Sequence, residues 1–230
     1  MRIRWFGQSA FLVEDGHRVF VDPFGDMSAA ASRGIEFGYP PIEGVEADVL
    51  LVTHDHRDHN AVDLVGGDPL VLRTPGRHET PLGEVVGIAS EHDDVAGTQR
   101  GANTIFVFPL GGLRLAHFGD FGQPALRPEQ REAIGEVDVL LLPVGGGPTV
   151  GGEAAAAVVR ELAPRLVVPH HYRTGAVNFL DSPDAFLEAL GAPVERLGAS
   201  EAVVEPLLGS RGEPRVALLA PPRWSHVREA

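Results

Sequence analysis

The chain of 230 residues contains 19 basic and 32 acidic residues, and this net charge of −13 argues against a nucleic-acid partner, whose phosphates would need many Lys and Arg side chains. No cysteine is present, so disulfides and thiolate ligands are excluded and any metal ion must be held by His and carboxylate groups. The sequence has no apolar run of 18 residues and no N-terminal signal core, so we expect a cytoplasmic protein without a membrane segment.

The first half of the chain predicts short strands joined by tight turns. The 28 Gly and 19 Pro residues of the chain are spread evenly rather than gathered in a linker, so we expect one domain over residues 1–230. A connection rich in Gly, Ala and Pro spans residues 25–45. Short apolar runs predict strands at residues 3–6, 10–14, 18–21, 49–52, 69–73, 84–90, 103–109 and 112–117.

In the second half of the chain, helices alternate with strands. Ser182 is the expected N-cap of the third helix, and Pro183 is its expected first residue. Strand runs followed by helix–strand alternation predict an α/β (α+β) fold in which two mixed β-sheets pack face to face with helices outside. The predicted helices are 127–134, 152–162 and 183–190, and the predicted strands are 137–142, 166–168, 203–204 and 216–219.

The segment His54-Asp55-His56-Arg57-Asp58-His59 follows a strongly apolar run and is the clearest chemical signal of the chain. In an extended backbone, residues two apart face the same way, so His54 and His56 can hold one ion together. Asp58 and His59 lie where the chain turns and can face a second ion. A polar loop in which Asp58 caps a following helix is the alternative, but it does not explain three histidines at this spacing.

Three later apolar runs also end in possible ligands, namely at His92, at His117 with Asp120, and at His170 with His171. Each of these residues alone is more often an ordinary loop residue than a ligand. Together with the first segment they form four strand ends, which we expect to converge on one sheet edge. The other histidines, His17, His78 and His226, are expected to be solvated surface residues.

This pattern resembles the metallo-β-lactamase superfamily, and in particular its cytoplasmic branch of metal-dependent hydrolases, which includes L-ascorbate-6-phosphate lactonase-like enzymes. The resemblance covers residues 1 to about 190 and implies a four-layer αββα sandwich. The matching segments outside the ligand motif are Gly7-Gln8-Ser9-Ala10-Phe11, Val21-Asp22-Pro23-Phe24, Arg100 to Phe106, His117 to Gly122, Pro143 to Gly147 and Pro169-His170-His171-Tyr172.

Position by position, the resemblance implies a site for two metal ions. The family usually has Met where this chain has His170, which leaves His171 as the ligand, and the alternation of strand side chains also allows only one of the two. The implied ligands are His54, His56 and His92 on the first ion, Asp58, His59 and His171 on the second, and Asp120 as a bridge.

Several neighbours of these ligands are expected to support them. His117 is interpreted as a residue that orients a ligand or the substrate, and Thr53 and Asp55 as further support. Gln8 departs from the family, because relatives often have His at this position.

Two ions in such a site share a water whose pKa falls from about 15.7 towards roughly 7, so the resemblance implies hydrolysis by metal-bound hydroxide. Asp58 is the expected catalytic residue, which orients the nucleophile or passes its proton to the leaving group. The ligand set favours zinc, with manganese or iron as alternatives. Di-iron relatives usually carry a carboxylate where this chain has His56, which also favours zinc and hydrolysis.

The expected substrate is a small ester, lactone, amide or phosphodiester. Tyr172 and Arg173 are candidates for contact with a carboxylate or phosphate. Arg100 and Asn103 contact the substrate or simply order loops, and residues 25–45 form either a lid or a passive wall.

Two other functions are kept open: a nuclease or RNA-processing phosphodiesterase of the same superfamily, which the acidic balance disfavours, and a catalytically silent metal-binding domain. The expected partner is a small-molecule substrate, and the sequence is compatible with a homo-oligomer.

Overall fold

Alternating side chains divide the first strands of the chain into two apolar faces. In the first strand, Ile3 and Trp5 pack in one hydrophobic cluster, whereas Phe6 packs in another. Val49 and Leu51 likewise join the first cluster, and Leu50 joins the second, as the period of two of a β-strand requires. A sheet with two apolar faces must be covered on both sides.

The computed structural model describes residues 1–224, so His226 lies outside the described residues. The strands are β1 (Arg2–Gly7), β2 (Ala10–Asp15), β3 (His17–Val21), β4 (Val45–Glu46), β5 (Val49–Leu51), β6 (Val65–Gly66), β7 (Leu70–Leu72), β8 (Gly76–Thr80), β9 (Gly83–Glu91), β10 (Ala102–Leu110), β11 (Leu113–His117), β12 (Val139–Pro143), β13 (Leu166–His170), β14 (Val194–Arg196), β15 (Glu201–Val203) and β16 (Arg215–Leu218). The α-helices are α1 (Pro128–Ile134), α2 (Gly152–Leu162) and α3 (Asp184–Leu190).

Two mixed sheets contain most of these strands. The first sheet has the order β15-β1-β2-β3-β5-β7, and the second has the order β14-β16-β13-β12-β11-β10-β9-β8. In both sheets an antiparallel meander continues into parallel strands, from β3 to β5 in the first and from β11 to β12 in the second. The two sheets share one hydrophobic core, so the predicted fold class is confirmed.

The outer layers of the sandwich differ. The helices α1 and α2 connect the parallel strands β11, β12 and β13, and α2 buries Val158, Val159 and Leu162. The outer face of the first sheet is covered mainly by irregular chain from the predicted 25–45 connection, including Tyr39 and Ile42. This connection also contains a 3₁₀ helix at Ser28–Arg33.

Several local predictions were wrong. The strands β8 and β14 were missed because they are largely exposed and polar. Ser182 does not cap a backbone N–H of α3; its Oγ binds the Asp184 carboxylate, and Pro183 takes the N-cap position. No helix begins at Asp58, because the next helical residues form a 3₁₀ helix at Val62–Leu64 with Ala61 at its N-cap.

Of the two described histidines predicted at the surface, His17 is exposed and His78 is half-buried. Within residues 1–224, no helix has both the length and the apolar character needed to cross a membrane.

Candidate metal centre

The predicted ligands come together from both sheets. The motif His54–His59 follows β5 of the first sheet, whereas His92, Asp120 and His171 follow β9, β11 and β13 of the second sheet. The expectation of a single sheet edge was therefore wrong, because the ligands lie where the ends of two facing sheets meet. The extended backbone assumed for His54 and His56 was also wrong, since β5 ends at Leu51 and the motif lies in turns.

The donor atoms of these residues form three groups, within each of which all atoms lie within 4.8 Å of one another. One group is His54, His56 and His92, and another is Asp58, His59 and His171. These two groups have the same membership as the two ligand sets implied by the resemblance. The third group joins Asp120 to His54 and His59.

The carboxylate of Asp120 lies between the two sets. Its Oδ2 is 3.1 Å from His171 Nε2, 3.2 Å from His92 Nε2 and 3.3 Å from His59 Nε2. The same oxygen lies 4.0 Å from His54 Nε2. One carboxylate within reach of imidazoles from both sets has the position that a bridging ligand requires.

Three of the imidazoles are oriented by contacts at their Nδ1 atoms. His92 Nδ1 lies 2.9 Å from the carbonyl oxygen of Pro148, and His59 Nδ1 lies 3.0 Å from Asp22 Oδ2. His54 Nδ1 lies 3.0 Å from the hydroxyl of Thr53. These contacts turn each Nε2 towards the cluster, as outer partners do for metal-bound histidines.

Within the described residues, the Nε2 atoms of His54 and His59 are buried and have no hydrogen-bond partner. A buried polar atom without a partner is unfavourable, and a coordinated cation would satisfy both nitrogens. All donors in the cluster are imidazole nitrogens or carboxylate oxygens, which suit divalent transition metals. The residues present therefore fit a metal centre.

Asp22 is buried behind the cluster and contacts both Thr53 and His59. The sequence prediction did not include this residue. It accepts hydrogen bonds from the Thr53 backbone N–H at 2.8 Å and the Thr53 hydroxyl at 2.7 Å, and it also binds His59. The sequence feature that could have indicated Asp22 is its position directly after the buried end of β3. Thr53 lies behind the cluster as predicted, but the Asp55 side chain is 85% exposed and binds Asn60 and Arg73 instead.

The loop that carries Asp120 is held from several sides. Asn103 accepts a hydrogen bond from the Asp120 backbone N–H at 3.1 Å and donates one to the Phe118 carbonyl at 2.9 Å. Its side chain therefore orders this loop and is not placed to bind substrate. Ser9, which sequence reasoning also missed, donates its hydroxyl to Asp120 Oδ1 at 3.0 Å. At Gly119 the backbone φ is +55°, and a Cβ there would lie 2.5 Å from Asn103 Oδ1, so only glycine fits.

His117 and His170 are buried behind the cluster rather than in it. His117 Nε2 donates to the Ser9 carbonyl at 3.0 Å, and the Gly119 N–H donates to His117 Nδ1 at 3.0 Å. His117 thus supports the loop before Asp120, and its ring stacks on that of His170 at 4.9 Å.

The chain changes direction between His170 and His171. The strand β13 ends at His170, and His171 has a left-handed φ of +48°. This change sends the side chain of His171 to the cluster while His170 packs against Phe11 in the core. Gln8 also reaches the cluster, because its Nε2 lies 2.9 Å from His171 Nε2 and 3.3 Å from Asp58 Oδ2.

The charge distribution favours a cation at this position. Burial opposes ionisation of Asp120, but the imidazoles of His171 and His59 outweigh this effect and hold the pKa of Asp120 well below its ordinary value. Burial, reinforced by His59, lowers the pKa of His54 well below its ordinary value. Burial also lowers the pKa of His59, but Asp120 and Asp58 outweigh it and raise this pKa well above its ordinary value.

A cavity of about 690 Å³ opens onto the cluster. Its floor includes His56, Asp58, His92, Asp120 and His171, and its wall includes residues of the 25–45 connection. Arg100, for which the sequence left substrate contact and loop ordering open, lines this cavity.

The structure places Tyr172 and Arg173 away from the cavity. Tyr172 is buried, and its hydroxyl lies 3.4 Å from the Leu219 carbonyl. The Arg173 Nε donates to the Leu180 carbonyl at 2.6 Å, so this side chain is already occupied. The predicted contact of these two residues with the substrate is therefore not supported.

Comparison with known proteins gives consistent matches. A family model described as a β-lactamase superfamily domain matches residues 2–171. A UPF0173 metal-dependent hydrolase of Thermococcus kodakarensis is 31% identical over 224 residues, covering 85% of this chain and 94% of that protein. A UPF0173 metal-dependent hydrolase of Thermus thermophilus is 32% identical over 206 residues, covering 76% of this chain and 84% of that protein.

Among solved structures, a metallo-β-lactamase superfamily protein of Thermotoga maritima superposes with a TM-score of 0.75 and 31% identity. The superposition covers 95% of this chain and 99% of that protein.

Proposed function

The chain belongs to the metallo-β-lactamase superfamily as a metal-dependent hydrolase, and on this premise we propose that it cleaves a small ester, lactone, amide or phosphodiester with two divalent ions. The observation that carries this proposal is the position of Asp120 Oδ2, within 3.3 Å of imidazoles from both ligand sets. The buried and unpartnered Nε2 atoms of His54 and His59 support it.

His54, His56 and His92 would hold one ion, and Asp58, His59 and His171 would hold the other, with Asp120 shared between them. When bound, such ions supply Lewis acidity and lower the pKa of water to roughly 7. The chain itself keeps the donors in place through Asp22, Thr53 and the Pro148 carbonyl, so little reorganisation is needed during the reaction.

Asp58 is the residue best placed to handle a proton. Its side chain is half-buried and lines the cavity, so it faces both the ligand set and the space for substrate. The amide of Gln8 holds one of its oxygens at 3.3 Å. We propose that Asp58 orients the attacking water, accepts its proton and passes that proton to the leaving group.

Zinc is the metal we propose, with manganese and iron as alternatives, because the donor set contains only imidazoles and carboxylates. The assignment to an L-ascorbate-6-phosphate lactonase-like branch stays a prediction, since the matched relatives are named only as metal-dependent hydrolases.

The test combines metal analysis with turnover of a panel of carboxylic esters, lactones and phosphodiesters. The purified chain should contain bound metal, lose activity on chelation and regain it when zinc or manganese is added. His54→Ala should lower turnover by more than the roughly 100-fold expected for loss of an outer support. Asp55→Asn is the matched control, because Asp55 lies in the same motif but points into solvent.

Full turnover by His54→Ala, or a purified chain that neither contains nor takes up metal, would overturn the proposal. Bound metal without turnover of any ester, lactone or phosphodiester would instead favour the silent metal-binding domain.

A further inference from the structure

Three arginines line the cavity that opens onto the metal centre. Arg33 ends the 3₁₀ helix at Ser28–Arg33, Arg57 lies inside the ligand motif, and Arg100 lies in the loop after β9. All three are exposed. Three separate segments thus bring positive charge to one opening of a chain whose net charge is −13.

These arginines differ from most others in the chain. Seven other arginines form ion pairs with carboxylates, namely Arg18, Arg73, Arg77, Arg127, Arg165, Arg211 and Arg215. Four more donate hydrogen bonds to backbone carbonyls, namely Arg114, Arg131, Arg160 and Arg173. Within residues 1–224, the guanidinium groups of Arg33, Arg57 and Arg100 make neither a hydrogen bond nor an ion pair. Their donors are therefore available to a ligand.

The cavity wall does not neutralise this charge. Its only carboxylates within the described chain are Asp58 and Asp120, which belong to the metal centre. The Asp26 carboxylate is also near Arg57, but it accepts hydrogen bonds from the backbone N–H and the hydroxyl of Ser28. These hydrogen bonds are the main cause of its lowered pKa, and Arg57 contributes less.

The backbone of Arg100 is fixed, although its side chain is unpartnered. Asp93 accepts backbone N–H groups of Val95, Gly97, Gln99 and Arg100 at 2.7 to 3.0 Å. This set of bonds holds the loop beside the ligand His92. Arg100 is thus presented at the cavity by an ordered loop.

The rest of the wall is apolar. Met27, Ile35, Phe37 and Phe179 line the same cavity, whose volume of about 690 Å³ suits a small organic molecule. A guanidinium group presents a planar fork of donors that matches the oxygens of a carboxylate or phosphate.

We propose that the substrate carries, besides the bond that is cleaved, an anionic carboxylate or phosphate group that binds Arg33, Arg57 and Arg100. This inference rests on the proposed hydrolase function and narrows its substrate class to small anionic molecules with an apolar part. The apolar part packs against Phe37 and Phe179, and the anion lies at the opening of the cavity.

The first experiment compares esters that share one leaving group and differ only at the end of the acyl chain, which is a methyl, a carboxylate or a phosphate group. With the zinc-loaded full chain, kcat/KM should be about 10- to 100-fold higher for one or both charged esters than for the methyl ester. The carboxylate and phosphate arms decide which anion the site prefers.

Arg57→Gln and Arg100→Gln should each reduce the ratio of kcat/KM between charged and methyl esters by about tenfold, mainly through KM. Arg2→Gln is the matched control, since it removes the same charge from an exposed residue that does not line the cavity, and it should leave this ratio unchanged.

A second experiment measures binding without turnover. Isothermal titration with 4-phenylbutyrate and phenylphosphonate is made on the full chain, both with zinc and after chelation. At least one anion should bind in both states, and its affinity should fall about tenfold in Arg57→Gln and Arg100→Gln.

The outcomes separate this inference from the proposed function. Equal cleavage of charged and methyl esters would overturn the inference and leave the hydrolase function standing. Binding of the anions only with zinc would also overturn it, because the metal centre would then be the anion site. Arginine-dependent binding of the anions, without cleavage of any ester, lactone, amide or phosphodiester, would support the inference and count against the hydrolase function.

Discussion

The floor and the rim of the cavity are built in opposite ways. The floor is formed by His56, Asp58, His92, Asp120 and His171, with His54 and His59 beneath them, and the rim is formed by Arg33, Arg57 and Arg100. These metal-centre side chains are buried, apart from the exposed His56 and the half-buried Asp58, and three of the imidazoles have an Nδ1 partner. Each rim side chain is exposed, and its guanidinium group has no partner within residues 1–224. Hydrogen bonds within the chain hold the floor in place, whereas the guanidinium groups of the rim have no contact within the described residues that fixes them.

This difference has a physical reason. Metal ligation requires nitrogen and oxygen atoms to be held within a narrow range of distances, and outer hydrogen bonds provide this precision. Recognition of an anion tolerates more movement, because long arginine side chains can adjust to the shape of the ligand. The metal ligands, which must be rigid, therefore lie at the floor of the cavity, and the adaptable anion-binding arginines lie at its rim.

The largest effect is expected from weakening the support of the floor at Asp22. Asp22→Asn keeps the size of the side chain but replaces one acceptor oxygen with an amide donor, so the contacts to Thr53 and His59 cannot all be kept. We expect metal affinity to fall by about 10- to 100-fold, measured by competition with a chromophoric chelator. Asp63→Asn, at an exposed aspartate, is the control.

A metal affinity of Asp22→Asn equal to that of the unchanged chain would contradict the view that the floor depends on its outer hydrogen bonds.

An effect confined to high pH is expected at Tyr39, which connects the wall of the cavity to the core. Its ring contacts Phe37 at 5.4 Å and Trp5 at 6.1 Å between centroids, and burial raises its pKa to about 12. Because the folded chain favours the neutral phenol, the stabilisation from this group is complete below pH of about 10 and is lost as the pH rises towards the folded pKa.

Tyr39→Phe cannot ionise, so its free energy of unfolding should fall less steeply than that of the unchanged chain between pH of about 10 and 12. The difference in that window should be on the order of 2 to 3 kcal/mol, measured by urea unfolding. At neutral pH the variant should lose about 1 kcal/mol with the Tyr39–Thr174 hydrogen bond. Parallel pH curves for the two chains would show that Tyr39 is not protected by burial.

The smallest effect is expected when the rim is loosened at Asp93. Asp93→Ala removes the acceptor for four backbone N–H groups of the loop that presents Arg100. Metal content should change less than in Asp22→Asn, while KM for an anionic ester should rise a few-fold. Equal losses of metal in Asp93→Ala and Asp22→Asn would contradict the view that Asp93 supports the rim and not the floor.

Much of the fold was predictable because hydrophobic alternation reports directly on the strands of a sandwich. The runs around Val49 and Val139 are buried and form strands close to the predicted positions. The strands β8 and β14 were not predictable in this way, since edge strands with exposed polar side chains lack the signal of burial.

The supports of the metal centre were harder to predict than its ligands. Asp22 contacts His59 across 37 positions of sequence, and Ser9 contacts Asp120 across 111 positions. Ser9 is an ordinary turn residue with no local signal, and the only local signal for Asp22 is its position directly after the buried end of β3. The contribution of Arg33 and Arg57 to the cavity was also missed, because an exposed arginine has no distinctive sequence context.

The sequence by itself determined the donor chemistry of this protein: seven His and Asp residues placed after apolar runs, with no thiolate among them. This is local information, because residue type and the end of a strand are both visible along the chain. The resemblance already implied Asp120 as the bridge and His171 rather than His170 as the ligand. Only the tertiary structure decided that Asp22 and Ser9 lie behind these ligands and that three arginines line one cavity with them. These features depend on how two sheets pack and where the backbone turns, and such long-range geometry is not written in any single segment.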